Sequence, residues 1–164
     1  LTHGPELGAR VRSALPNADA ACFGAFVGYG IDFEDVGGRL RLSGCTSGFD
    51  NGYVDATTNA YDLELRVHHA WDFAGLSLDL GLGGGATLFS QRFSSLGRTP
   101  DRNSVAPFLA VGPALSWELG FGLYGTLDLS AETHFLAVQR SSFEDDATKL
   151  SFALRSSFGL GKRF

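Results

Sequence analysis

Hydrophobic side chains recur at every second position along nearly the whole chain, and only polar, turn-rich segments interrupt them. Period two belongs to β-strands, whose successive side chains point to opposite faces of a sheet. Asn59–Phe73 shows it most cleanly. Tyr61, Leu63, Leu65, Val67, Trp71 and Phe73 share one face, and Asp62, Glu64, Arg66, His68 and Asp72 share the other. A chain patterned in this way is all-β. No apolar run approaches the ~20 residues that a transmembrane helix requires.

Eight alternating segments are predicted: about Glu6–Leu15, Cys22–Phe33, Gly38–Gly44, Asn59–Phe73, Leu76–Leu88, Ala106–Leu119, Gly122–Val138 and Thr148–Phe164. The connections after the second, fourth and sixth are tight: Glu34–Gly37, Ala74-Gly75 and Gly120-Phe121. Those after the first, third, fifth and seventh are longer and polar: Pro16–Ala21, Cys45–Thr58, Ser94–Val105 and Arg140–Ala147. An even strand count, with short turns at one end and long loops at the other, is the pattern of a membrane barrel. The expected fold is an eight-stranded antiparallel up-and-down transmembrane β-barrel, with residues 1–164 as one domain and both termini at the short-turn, periplasmic end.

Alternation alone does not say which face is inside, because a soluble lipocalin-like carrier alternates too. The polar face decides. It mixes Gly, Ser and Ala with Arg10, Arg12, Arg39, Arg41, Arg66, Lys149 and Arg155, set against Asp32, Glu64, Asp79, Glu118, Asp128 and Glu132. An eight-stranded lumen is just wide enough for side chains to fill it. Small residues there make room for long ones, and charges of both signs pair. The other face is bulky and almost free of charge. Near its turn-side end Phe33, Trp71, Phe73, Trp117, Phe121 and Phe164 would form an interfacial aromatic girdle. The outward face is therefore expected to meet outer-membrane lipid.

At this point the chain resembles the small eight-stranded bacterial outer-membrane barrels of the OmpA/OmpX type. The most specific local element is the last strand, which ends in Phe164 with Leu154, Phe158 and Leu160 on the same face. It is similar to the terminal signal of that family, although Lys162 stands where the family usually has an apolar residue. The resemblance implies an outer-membrane location, delivery by the barrel-assembly machinery, and a protein partner at the loops or the periplasmic side. The chain opens at Leu1-Thr-His-Gly-Pro, without an initiator Met or a leader-like segment. The expectation is a removed leader or a piece of a longer protein.

Few residues point to chemistry. Gly120–Gly125 spells G-x-G-x-x-G, but Thr126–Ser130 alternates as strand where a dinucleotide motif needs a helix, so no cofactor is expected. Net charge is −5 with no basic block, which argues against nucleic acid as a partner. His68 and His134 point inward, with Glu64 and Glu132 on the same surface, while His69 faces lipid. Some eight-stranded barrels are lipid A-modifying enzymes, and that is the alternative reading. The leading one is a non-enzymatic barrel with a closed, charge-filled lumen, serving as envelope anchor or structural component, or presenting loops to a partner. Cys22 and Cys45 match no metal spacing and are expected to form one disulfide. Strict hairpin register puts them about four residues out of line, so the loop would have to fold back.

Overall fold

The structure, a computed structural model, describes residues 1–13, 21–50, 55–94, 101–138 and 147–164. Eight strands follow one another: β1 (Thr2–Arg12), β2 (Cys22–Phe33), β3 (Val36–Asp50), β4 (Asp55–Phe73), β5 (Leu76–Phe93), β6 (Arg102–Gly120), β7 (Leu123–Val138) and β8 (Ala147–Lys162). Each pairs antiparallel with the next, and β8 closes on β1. Closure leaves no unpaired sheet edge, which is what lets a β-sheet stand in hydrocarbon.

Register sets the diameter and tilt. From His3, paired residues run through Ile31, Gly38, Val67, Leu82, Val111, Ala131 and Leu154. Leu154 then bonds Ser13, so the path returns to β1 ten residues further on. That stagger tilts the strands and fixes a narrow barrel.

The connections at the short end are two-residue turns. Gly75 and Gly122 take positive φ (78° and 75°), which glycine adopts without steric cost. Glu34 and Phe121 also turn left-handed, at 52° and 56°. The turn after β2 is Glu34-Asp35, not the four residues expected, because Val36 and Gly37 already pair with Phe33 and Asp32. Strands β3 and β4 likewise run on to Asp50 and from Asp55, through most of the segment expected to be loop. Four predicted loop segments extend outside the described residues, at 14–20, 51–54, 95–100 and 139–146, and Leu15 of the first predicted strand falls there too.

The outer wall carries the apolar residues. Leu63, Leu65, Val67, Leu80, Leu82, Leu109, Phe152 and Leu154 are each more than half exposed. No water-facing surface of a monomer carries a continuous apolar belt of this kind. On β4 it runs from Tyr61 to Trp71, about the length with which a tilted strand crosses a bilayer. Above Tyr61 the outward residues turn polar, and Thr46 Oγ1 donates to Asn59 Oδ1 (2.8 Å) across β3 and β4. β1 and β2, with 11 and 12 residues, reach little beyond the belt, whereas β4 and β6 have 19 each and rise past it.

Candidate functional site

The interior is built by strand phase. Every second residue of each strand points inward, so eight strands deliver their polar faces into one narrow space. Six arginines (Arg10, Arg12, Arg39, Arg41, Arg66 and Arg155) and six carboxylates (Glu6, Asp62, Glu64, Asp79, Asp128 and Glu132) are buried there among the described residues. Glycine supplies the room. A Cβ on Gly81 would lie 2.1 Å from Arg66 Nε, and one on Gly28 would meet Glu6 Oε1 at 2.8 Å.

From the turn side upward, the pairs form layers. His68 Nε2 lies 3.1 Å from Asp32 Oδ1, and Arg39 Nη2 lies 2.9 Å from Asp79 Oδ2. Above them Arg41 bridges Glu6 (2.6 Å) and Asp128 (3.3 Å), with its guanidinium 4.9 Å over the Phe26 ring. Arg66 pairs with the same Asp128 and donates to Ser130 Oγ (2.9 Å) and to the Gly112 carbonyl (2.5 Å). Arg155 then joins Glu64 (2.7 Å) to Glu132 (2.8 Å). Arg10 and Arg12 share Asp62, at 2.5 and 3.3 Å. Each carboxylate meets at least one guanidinium, which is the condition for keeping buried charge ionised.

An apolar cap covers these layers at the loop end. Cys22 and Cys45 form a disulfide (Cα–Cα 5.4 Å), packed with Ala60, Phe89, Ala106 and the partly buried Leu136. With the turn shortened to two residues, Cys45 pairs with Gly24, two residues from Cys22 rather than four. Both cysteines lie inside the wall, so the bond forms between neighbouring strands and needs no folding back of the loop. The cap rests on the charges: Arg12 lies 5.7 Å over the Phe89 ring, and His134 packs against Phe108 and Phe89.

Among the predicted interior charges, Arg10, Arg12, Arg39, Arg41, Glu64, Arg66, Asp79, Asp128, Glu132 and Arg155 are in this assembly, and Asp32 is at its turn-side mouth. Glu118 and Lys149 are not. Both are in inward phase, but Glu118 stands at the turn rim, 73% exposed, and Lys149 is exposed near the loop-side start of β8. Phase specifies a face and says nothing about height. Sequence reasoning left Glu6 and Asp62 out of the network, although both keep step with its other members. Phe26, Phe89 and Phe108 also point inward, against the rule that apolar side chains face out.

The predicted girdle residues Phe33, Trp71, Phe73, Phe121 and Phe164 are exposed on the outside, and Trp117 is half-buried over Gly125. His69 is exposed beside Trp71, ring to ring at 4.7 Å. Lys162 holds its ammonium 5.1 Å over the Phe164 ring, which keeps charge at the interface and the stem along the wall.

Glu132, His134 and Ser151 bring an acid, a histidine and a hydroxyl together. His134 Nε2 lies 3.1 Å from Glu132, and Ser151 faces His134 across β7 and β8. Among the described residues neither Ser151 Oγ nor His134 Nδ1 has a hydrogen-bond partner, and both residues are wholly buried beneath the cap. Among the described residues no group of three or more His, Cys, Asp or Glu is placed to hold a metal.

The same architecture occurs in solved structures. The chain is similar to Neisserial surface protein A, with TM-score 0.71 at 13% identity over 99% of this chain and 97% of that one. A major outer membrane protein from Thermus thermophilus gives TM-score 0.68 at 15% identity, over 99% of each chain. Ail, the attachment invasion locus protein of Yersinia pestis, gives 0.63 at 17%, over 99% and 98%. This is the fold of a small bacterial outer-membrane barrel. No family model and no curated protein matches the sequence. At these identities the likeness lies in topology.

Proposed function

We propose that residues 1–164 act as one non-enzymatic barrel domain of the bacterial outer membrane, closed to solutes and serving as an envelope anchor or as a platform for its loops. The observation that carries this reading is the interior itself: six arginines and six carboxylates, interlocked and capped. A channel needs an open polar path, and channels with aqueous lumens use 16 or more strands. Barrel-assembly machinery would receive the chain through its last strand, β8. A protein partner would meet the polar upper parts of β3–β6 or the turn-side mouth, where Asp72, Ser77, Ser116, Glu118 and Arg163 line a cleft of about 210 Å³.

Reconstitution in a planar bilayer tests closure: a flat current supports it, and steady conductance steps would overturn it. The folded protein in detergent should also migrate differently on a denaturing gel before and after boiling. The lipid A-modifying alternative rests on Glu132, His134 and Ser151. For it, His134→Ala would alter the lipid A mass spectrum of cells carrying the protein; an unchanged spectrum agrees with the non-enzymatic reading.

A further inference from the structure

The outer wall is not uniformly convex. A groove of about 600 Å³ crosses β6, β7, β8 and β1 on the lipid-facing side. Two rows of paired residues line it. Leu129, Ser156 and Val11 form one with Pro113, and Val111, Ala131 and Leu154 form the other. Small side chains make the depression. Ala131 and Ser156 stand where neighbouring positions of the same belt carry Leu129, Leu154 and Phe158. Pro113 has no N–H to donate, and the β6–β7 ladder pairs Val111 with Ala131 and Ala114 with Asp128 without the two positions between. The groove climbs with the strand stagger and ends at Ser13 and Ala21, where the short β1 and β2 stop.

We infer that this groove is a binding site for one acyl chain of a lipid in the loop-side leaflet. It rests on the reading of the outer wall as lipid-facing. The occupant follows from continuity: the groove is a recess in the belt that already meets acyl chains, is lined mainly by aliphatic groups, and lies above mid-height. Its upper end lies beside Ser13, whose hydroxyl accepts from the Leu154 N–H (2.9 Å), so a polar group stands where a headgroup would sit. A recess gives a chain more dispersion contact than the convex wall does, because a flexible chain on a convex surface touches it on one side only.

The test places the folded protein in phosphatidylcholine vesicles doped with a phosphatidylcholine that carries a diazirine at mid-chain. After illumination and proteolysis, adducts are mapped by mass spectrometry. The groove predicts several-fold enrichment on β7 and β8 around Ala131 and Ser156 over the wall around Leu40 and Leu63. It also predicts loss of that enrichment in A131L/S156L, whose folding the gel shift verifies. Adducts spread evenly around the belt, and unchanged in the variant, would overturn the site while leaving the lipid-facing wall intact. A belt free of adducts in a protein soluble without detergent would overturn the wall reading beneath it.

Discussion

The middle of the lumen and its loop-side end bury polar groups in different ways. In the middle, Arg41 and Arg66 meet on Asp128, with Glu6 also on Arg41, and Arg155 joins Glu64 to Glu132, so that side chains of β1, β3, β4, β7 and β8 interlock. Towards the loops, Ser151 Oγ and His134 Nδ1 have no hydrogen-bond partner among the described residues, and an apolar cap lies over them. The middle fills the lumen with paired charge and the end fills it with packed apolar side chains. The difference teaches where each kind of change is tolerated: the middle fails when one charge is removed, the cap when volume is.

The largest effect is expected from Asp128→Ala. It removes the carboxylate that Arg41 and Arg66 share, leaving buried positive charge uncompensated at a cost of about 3–5 kcal/mol. Urea-induced unfolding in lipid vesicles measures it, and a loss below about 1 kcal/mol would show that the middle is hydrated rather than interlocked. Phe89→Ala comes next, at about 3 kcal/mol from a cavity in the cap. In a planar bilayer it should stay without conductance, because the charged middle still fills the lumen; steady steps would show that the cap alone closes the barrel. Replacing Cys22 and Cys45 together with Ser should cost about 2 kcal/mol, since the bond closes a loop with a sequence separation of 23. Equal melting of oxidised and reduced protein would remove the disulfide from the account. Glu118→Ala and Lys149→Ala stand outside both regions and should each change stability by less than about 0.5 kcal/mol.

The comparison also explains what the sequence made legible. Within the bilayer the two faces contrast strongly, so strand number and inside-out orientation followed from alternation and composition. Beyond the bilayer the contrast fades. Thr46, Ser47 and Asp50, like Asp55, Thr57 and Thr58, put polar residues on both sides of the strand, and the same residues that read as loop form the upper ends of β3 and β4. Height was illegible for a related reason: Glu118 and Lys149 share the phase of buried charges, and only the three-dimensional stagger places them at the rims. The cap was illegible because Phe89 and Phe108 point inward among charges, where alternation assigns polar residues. The disulfide position depended on the turn after β2, and a two-residue error in that turn moved the expected register by two.

The central claim is that charge lies inside and lipid outside. The chain's two tryptophans, Trp71 and Trp117, both belong to the turn-side rim of the belt, so their fluorescence tests it directly. In vesicles of phosphatidylcholine brominated at different depths, the account predicts quenching by every lipid, strongest with bromine near the ester end of the chain. Emission indifferent to bromine at any depth would contradict it.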